Sequence, residues 1–273
     1  MDSLKDLITE IPGEDYDKER AWTVYPKFET FTYFSSTAGR DTKISVMLPT
    51  DYDESRQYPV LYALHGFYDD GSWMTRDEVK LAVILKNLQL DGKAQDMIVV
   101  APYIFCSREM PVCTGMDLEN CYAYDNFIND LTTDLMPFIE DRFSVKKGRE
   151  NTAITGFSMG GREALFIGFK RPDLFGYIGA VCPAPGLVEI PGSPMHPGQL
   201  TENEMRFDKG NEPFAMLVSY SLADEVVLHE PEHYHKILEN NKVTCLFQVM
   251  KETGHEHTSV KPHLYNFLRL LFR

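Results

Sequence analysis

Residues 151–170 read NTAITGFSMGGREALFIGFK, and their centre decides the fold. NTAITGF has the composition of a buried strand and SMGGREALFIGFK that of a helix, so the chain turns sharply between them. The turn is Gly156-Phe157-Ser158-Met159-Gly160, a G-x-S-x-G. A serine alone is a weak nucleophile. It must stand on a tight, strained turn where a histidine reaches its hydroxyl. Small residues two before and two after it relieve the crowding of strand against helix. The same turn points the backbone N–H of Met159 to where an oxyanion would form. A glycine-rich helix start explains the glycines but leaves the serine at their centre unexplained.

Strands alternate with helices outward from this turn. KFETFTYF and TKISVML (27–34 and 42–48) read as a hairpin around the turn-like STAGRD. YPVLYALH (58–65) and MIVVAP (97–102) suit strands buried on both faces, with a helix expected near 77–89 between them. In 124–143, Phe127, Ile128, Leu131, Leu135, Ile139 and Phe143 fall at helical spacing, and Pro137 should bend that helix. YIGAVCPA, FAMLVSYS and VTCLFQVM are further strands, and helices are expected near 231–240 and 261–272. Such alternation predicts an α/β domain with a mostly parallel sheet and the hairpin at its antiparallel edge. One domain is expected over 1–273, with 1–26 a surface extension. Residues 183–212, rich in proline and glycine, are expected to form a lid in which Met195, Leu200 and Met205 cover the substrate.

In this class of fold the acid follows the serine in sequence, and the base comes last. The base belongs in a loop after the final strand, where KETGHEHTSVKP (251–262) offers His255 and His257. Gly254 permits a tight loop that would aim His255 back over the sheet, and the preference for His255 over His257 rests mainly on the resemblance given below. His263 falls in the closing helix and is expected at the surface. Asp224, just after FAMLVSYS, is the acid that fixes the imidazole tautomer, with Glu225 as second choice. A second oxyanion donor is expected from His65-Gly66-Phe67, as the amide of Phe67, with His65 structural beneath that loop. From loop position alone, Phe67, Trp73 and Tyr122 are candidates to pack against the acyl group.

Other signals exclude rival classes. A net charge of −14 repels phosphate backbones and anionic lipid, so neither nucleic acid nor a membrane surface is an expected partner. No apolar run approaches the roughly 20 residues of a bilayer span. MDSLKDLITE lacks the features of a signal peptide, which suits the cytoplasm, or the exterior if a leader has been removed. The five cysteines contain no CxxC pair, although Cys106, Cys113 and Cys121 lie close enough in sequence to allow a bridge. His229-Glu230-Pro231-Glu232-His233 matches a zinc-binding H-E-x-x-H, but Pro231 belongs in a helix's first turn, which leaves His229 outside the helix. No metal site is expected.

With these residues in hand, the chain resembles the esterase D-like, carbohydrate esterase family one group, and within it bacterial feruloyl esterases. The resemblance covers about residues 27–273. It is strongest at YPVLYALHG, AYDNFINDLTTDLMPFIE, GFSMGG and GHEHTSVKPHLYNFLRLLF. It implies an α/β-hydrolase fold, no cofactor, and hydrolysis of esters joining hydroxycinnamic acids to plant cell-wall polysaccharide. It places the nucleophile on Ser158, the acid on Asp224, the base on His255 and the oxyanion donors on Met159 and Phe67. Two places after the base, where such esterases often have an aromatic residue, this chain has His257, a candidate substrate contact. The expected partner is a small-molecule or oligosaccharide ester. Acetyl-xylan esterase, S-formylglutathione hydrolase, an acyltransferase and a non-catalytic binding protein on the same fold remain as alternatives.

Overall fold

All eight β-rich runs pair into a single sheet in the computed structural model, which describes residues 2–9 and 12–273. The strands are β1 (Phe28–Ser35), β2 (Arg40–Met47), β3 (Val60–Leu64), β4 (Ile98–Pro102), β5 (Thr152–Phe157), β6 (Tyr177–Val181), β7 (Ala215–Ser221) and β8 (Leu246–Met250). Their spatial order is β1-β2-β4-β3-β5-β6-β7-β8. β1 and β2 are antiparallel to their neighbours, and β4 through β8 run parallel. The helices are α1 (Asp2–Lys5), α2 (Leu81–Leu90), α3 (Leu118–Asp125), α4 (Phe127–Asp130), α5 (Met136–Arg142), α6 (Met159–Lys170), α7 (Glu230–Asn240) and α8 (His257–Leu268). This is the α/β-hydrolase fold.

Both faces of the sheet are covered, which is why the central strands read as continuous apolar runs. Along β3, Val60, Tyr62 and Leu64 pack into one core while Leu61 and Ala63 pack into the other. The first core takes the side chains of α3 to α7, and the second those of α2 and α8. Because β3, β5, β7 and β8 are parallel, their carboxyl ends lie along one edge. Loops from that edge border the site in open α/β sheets.

Several expectations are corrected. The helix near 77–89 starts only at Leu81, because Lys80 adopts a left-handed φ of 57°. The helix over 124–143 is broken into α4, a π-helical turn at Leu131–Leu135, and α5. Pro137 stands at the start of α5, directly after that π-helical turn. The apolar spacing there is right nonetheless, since Phe127, Leu131, Leu135 and Ile139 are fully buried.

His263 is buried rather than on the surface. It bridges the sheet through Thr155 Oγ1 at 2.9 Å and Ser219 Oγ at 2.7 Å. The amino-terminal segment lies on the surface but is strapped down. Thr9 exchanges hydrogen bonds with Asn266, Asp17 pairs with Lys261 at 2.6 Å, and Asn87 binds the carbonyls of Tyr16 and Lys18. Met1, Glu10 and Ile11 of that segment lie outside the described residues.

Residues 183–212 are irregular apart from one 3-10 turn at Glu202–Glu204. Leu200 and Met205, expected over the substrate, are instead buried in the first core. Tyr234 of α7 holds the start of the segment through Ala184 O and the Leu187 amide, and Asn241 binds Met205 O at 3.0 Å. The segment is a packed part of the molecule. Cys106, Cys113 and Cys121 are free thiols, not a bridge.

Candidate active site

Ser158 stands between β5 and α6 with φ 56° and ψ −115°, a backbone that L-residues adopt only under strain. The two flanking glycines make it attainable. A Cβ on Gly156 would lie 2.2 Å from Gly160 O, and one on Gly160 would lie 2.4 Å from His65 O. As the first residue of α6, Met159 has an amide with no intrahelical acceptor, and the helix dipole adds positive potential there. The loop after β3 abuts this turn, since a Cβ on Gly66 would sit 3.5 Å from Ser158 Cβ.

His65 fixes that loop from below. Its ring is fully buried, with Nε2 accepting from the Ile104 amide at 3.1 Å and Nδ1 donating to Gly66 O at 2.7 Å. Burial lowers its pKa to about 4, so the ring is neutral, as this pair of bonds requires. The Phe67 amide follows directly.

His255 Nε2 lies 2.9 Å from Ser158 Oγ, and its Nδ1 lies 2.6 Å from Asp224 Oδ2. A neutral imidazole that donates from Nδ1 to the carboxylate has a free lone pair at Nε2 for the serine hydroxyl. Asp224 is buried, and burial alone would raise its pKa. The bond to His255 and the amides of Val227 and Val226 on its Oδ1 prevail, holding it below the usual carboxylate value. Glu225, the second choice, is exposed.

The His255 loop is shaped by side chains, not by its glycine. Ser221 Oγ binds Thr253 O, and Ser259 Oγ binds Gly254 O. Gly254 has no left-handed φ, and a Cβ there would meet nothing closer than 3.9 Å. The role expected of Gly254 is therefore corrected.

A cleft of about 280 Å³ opens at the serine. Phe67, Trp73 and His257 line it, together with Tyr68, Asp69, Met116, Phe157 and Val226, which sequence reasoning missed. Trp73 stacks flat on Phe157 with centroids 4.8 Å apart, and Phe157 leans on the His255 ring at 4.6 Å. The residue after Gly156 thus braces the imidazole, a signal that was present in the G-x-S-x-G itself. Tyr122 is not in this cleft. It lies half exposed beside Asp125, Asn126 and Phe166, because Asn126 Nδ2 and the Ala123 carbonyl tie its turn to Cys106.

His229 does fall outside α7, pairing with Glu232 at 2.8 Å, while His233 faces Glu230. Behind the elbow, Arg162 and Glu163 are buried on α6. Arg162 binds Asp125 and, at 3.0 Å, Glu163, and Gln199 donates to both carboxylates.

The family described as "Putative esterase" matches residues 35–233. The endo-1,4-beta-xylanase/feruloyl esterase of Xylanibacter ruminicola is 32% identical over 178 residues, which are 62% of this chain and 24% of that protein. The chain thus spans about a quarter of that curated relative. Among solved structures, the CE1 ferulic acid esterase of the anaerobic fungus Anaeromyces mucronatus superposes with a TM-score of 0.91 at 35% identity, covering 97% of each chain. An S-formylglutathione hydrolase of Agrobacterium tumefaciens shares the fold alone, with a TM-score of 0.68 at 16% identity over 92% of this chain and 96% of its own. With a family match over most of its length and a near-complete superposition on a ferulic acid esterase, the chain belongs to the esterase family.

Proposed function

We propose that this esterase is a serine feruloyl esterase acting through an acyl-enzyme. Ser158 attacks the ester carbonyl, His255 takes its proton and returns it to the leaving alcohol, and Asp224 steadies the imidazolium. The amides of Met159 and Phe67 hold the oxyanion. Water then repeats the sequence on the acyl-serine. One observation carries the reading: the hydrogen-bonded Ser158–His255–Asp224 relay opens into a cleft walled by Phe67, Trp73 and Phe157. An aromatic acyl group fills such a wall, and an acetyl or formyl group leaves it bare. Feruloylated polymer does not cross membranes, so action on the polymer itself would require export.

Hydrolysis of methyl ferulate, acetylated xylan and S-formylglutathione tests the reading. The expected order puts methyl ferulate first in kcat/KM, and S-formylglutathione first would overturn the proposal. Ser158→Ala and His255→Ala should each cut turnover by roughly 10⁴–10⁶ with the thermal midpoint little changed. His257→Ala should act mainly on KM.

A further inference from the structure

Strand β6 lies between β5, which ends at the nucleophile, and β7, which ends shortly before the acid. The turn after β6 is tied to both neighbours. Val181 O accepts from the Ser158 amide at 3.0 Å, and the Ala184 amide donates to Ser158 O at 2.9 Å. On the other side, the Cys182 amide donates to Ser219 O of β7 at 2.8 Å. Cys182 itself holds a left-handed φ of 45°, uncommon for a residue other than glycine. Such strain persists only where the surroundings impose it, and it gathers at functional sites.

The side chain that this backbone presents is fully buried. Its sulfur lies within 4.8 Å of a carboxylate oxygen of Asp224 and of a ring nitrogen of His255. Burial and the Asp224 carboxylate push the thiol pKa up, so the sulfur keeps its proton and offers it to that carboxylate. Asp224 already accepts from His255 at Oδ2 and from the Val226 and Val227 amides at Oδ1. A carboxylate has about four lone-pair sites, which leaves room for one more donor. A thiol is a weak one, so it restrains the carboxylate while drawing little charge away from the imidazole.

We propose that Cys182 is a positioning residue of the relay, its S–H donating to the Asp224 carboxylate and holding it in line with His255 Nδ1. It touches neither the substrate nor the reacting atoms. The inference rests on the serine esterase reading and is independent of which acyl group is cleaved.

The test is the pH dependence of hydrolysis by the full chain, Cys182→Ala and Cys182→Ser, on methyl ferulate and on p-nitrophenyl acetate. Losing the donor leaves the Asp224 charge unshared, which favours the imidazolium and raises the pH at which His255 becomes a free base. In Cys182→Ala the acidic limb of kcat/KM should therefore move up by about half a pH unit, and kcat should fall about tenfold with KM unchanged. Cys182→Ser keeps a donor and should restore both. Asp69, Glu256 and His257 share the cleft with His255 and are unaltered in both variants, so the shift reports Cys182.

A Cys182→Ala enzyme with the wild-type limb and kcat overturns the proposal, whatever its thermal midpoint, because the thiol then only fills space. Infrared spectroscopy serves should that variant not fold. The S–H stretch that disappears in Cys182→Ser should shift in the wild-type chain as His255 titrates, and a band that stays still overturns the proposal. Undiminished hydrolysis by Ser158→Ala would instead strike the esterase reading itself.

Discussion

A methyl group added to Gly160 would meet the backbone oxygens of His65 at 2.4 Å and Leu64 at 2.6 Å. Neither atom can rotate away, so the strand end carrying the Phe67 amide must move. Gly160→Ala should therefore cost about 1–3 kcal/mol of stability and also depress kcat, because one oxyanion donor shifts with His65. Gly254→Ala, at an open position with ordinary backbone, should stay within about 0.5 kcal/mol. Urea denaturation and steady-state rates on the two variants check the contrast, and equal behaviour would refute it. That Ser158, His255 and Asp224 come within hydrogen-bond reach of one another is legible in sequence because each sits just past a strand end, and strand ends are marked by where apolar runs stop. Tyr122 was misplaced for the converse reason. Its turn is oriented by bonds to Cys106 that no local pattern announces.

Helix α6 carries a buried charge cluster that its apolar periodicity does not predict. Burial pushes the Glu163 carboxyl upward, and Arg162 opposes that rise. Removing the guanidinium leaves Asp125 and Glu163 facing each other without compensation. Arg162→Met should cost about 3–5 kcal/mol, and Arg162→Met combined with Glu163→Gln should recover part of it. Chemical denaturation of the single and double variants measures both, and a neutral single variant would show that the cluster is not a structural staple. The cluster also helps to hold residues 183–212, whose Leu200 and Met205 are buried in the core. Their composition is that of a loop, but Gln199 ties them to α6 through side chains distant in sequence. For α8 the sequence does carry the signal, since His263 lies three residues after Val260 and four before Phe267, on the buried stripe.

Across the whole molecule, two neutral histidines are locked inside the sheet's surroundings. Burial holds His65 down to about 4 and His263 to about 3. An unfolded histidine titrates near 6.5, so between there and about pH 4 the unfolded chain binds protons at both positions that the folded chain refuses. Their contribution to stability is complete above pH 6.5 and is lost as the pH falls below it. His263→Gln, which keeps partners for Thr155 and Ser219, should flatten that decline by about 1.4 kcal/mol per pH unit. Unfolding midpoints between pH 7 and pH 4 check it, and an unaltered slope would count against the assignment. At this scale the sequence was most readable. Eight apolar runs separated by polar turns define eight strands, and their alternation with helices leaves few ways to order them.

The chain has two tryptophans, and the fold puts them in opposite surroundings. Trp22 is fully exposed, whereas Trp73 lies flat against Phe157, one ring away from the imidazole of His255. Replacing Trp22 by phenylalanine leaves one indole, and that indole forms a wall of the catalytic cleft. Hydroxycinnamates absorb where indole emits, so an acyl group seated there drains the excited state by resonance transfer. The enzyme thereby contains its own fluorophore, and stopped-flow emission can follow binding, acylation and release in real time without a label.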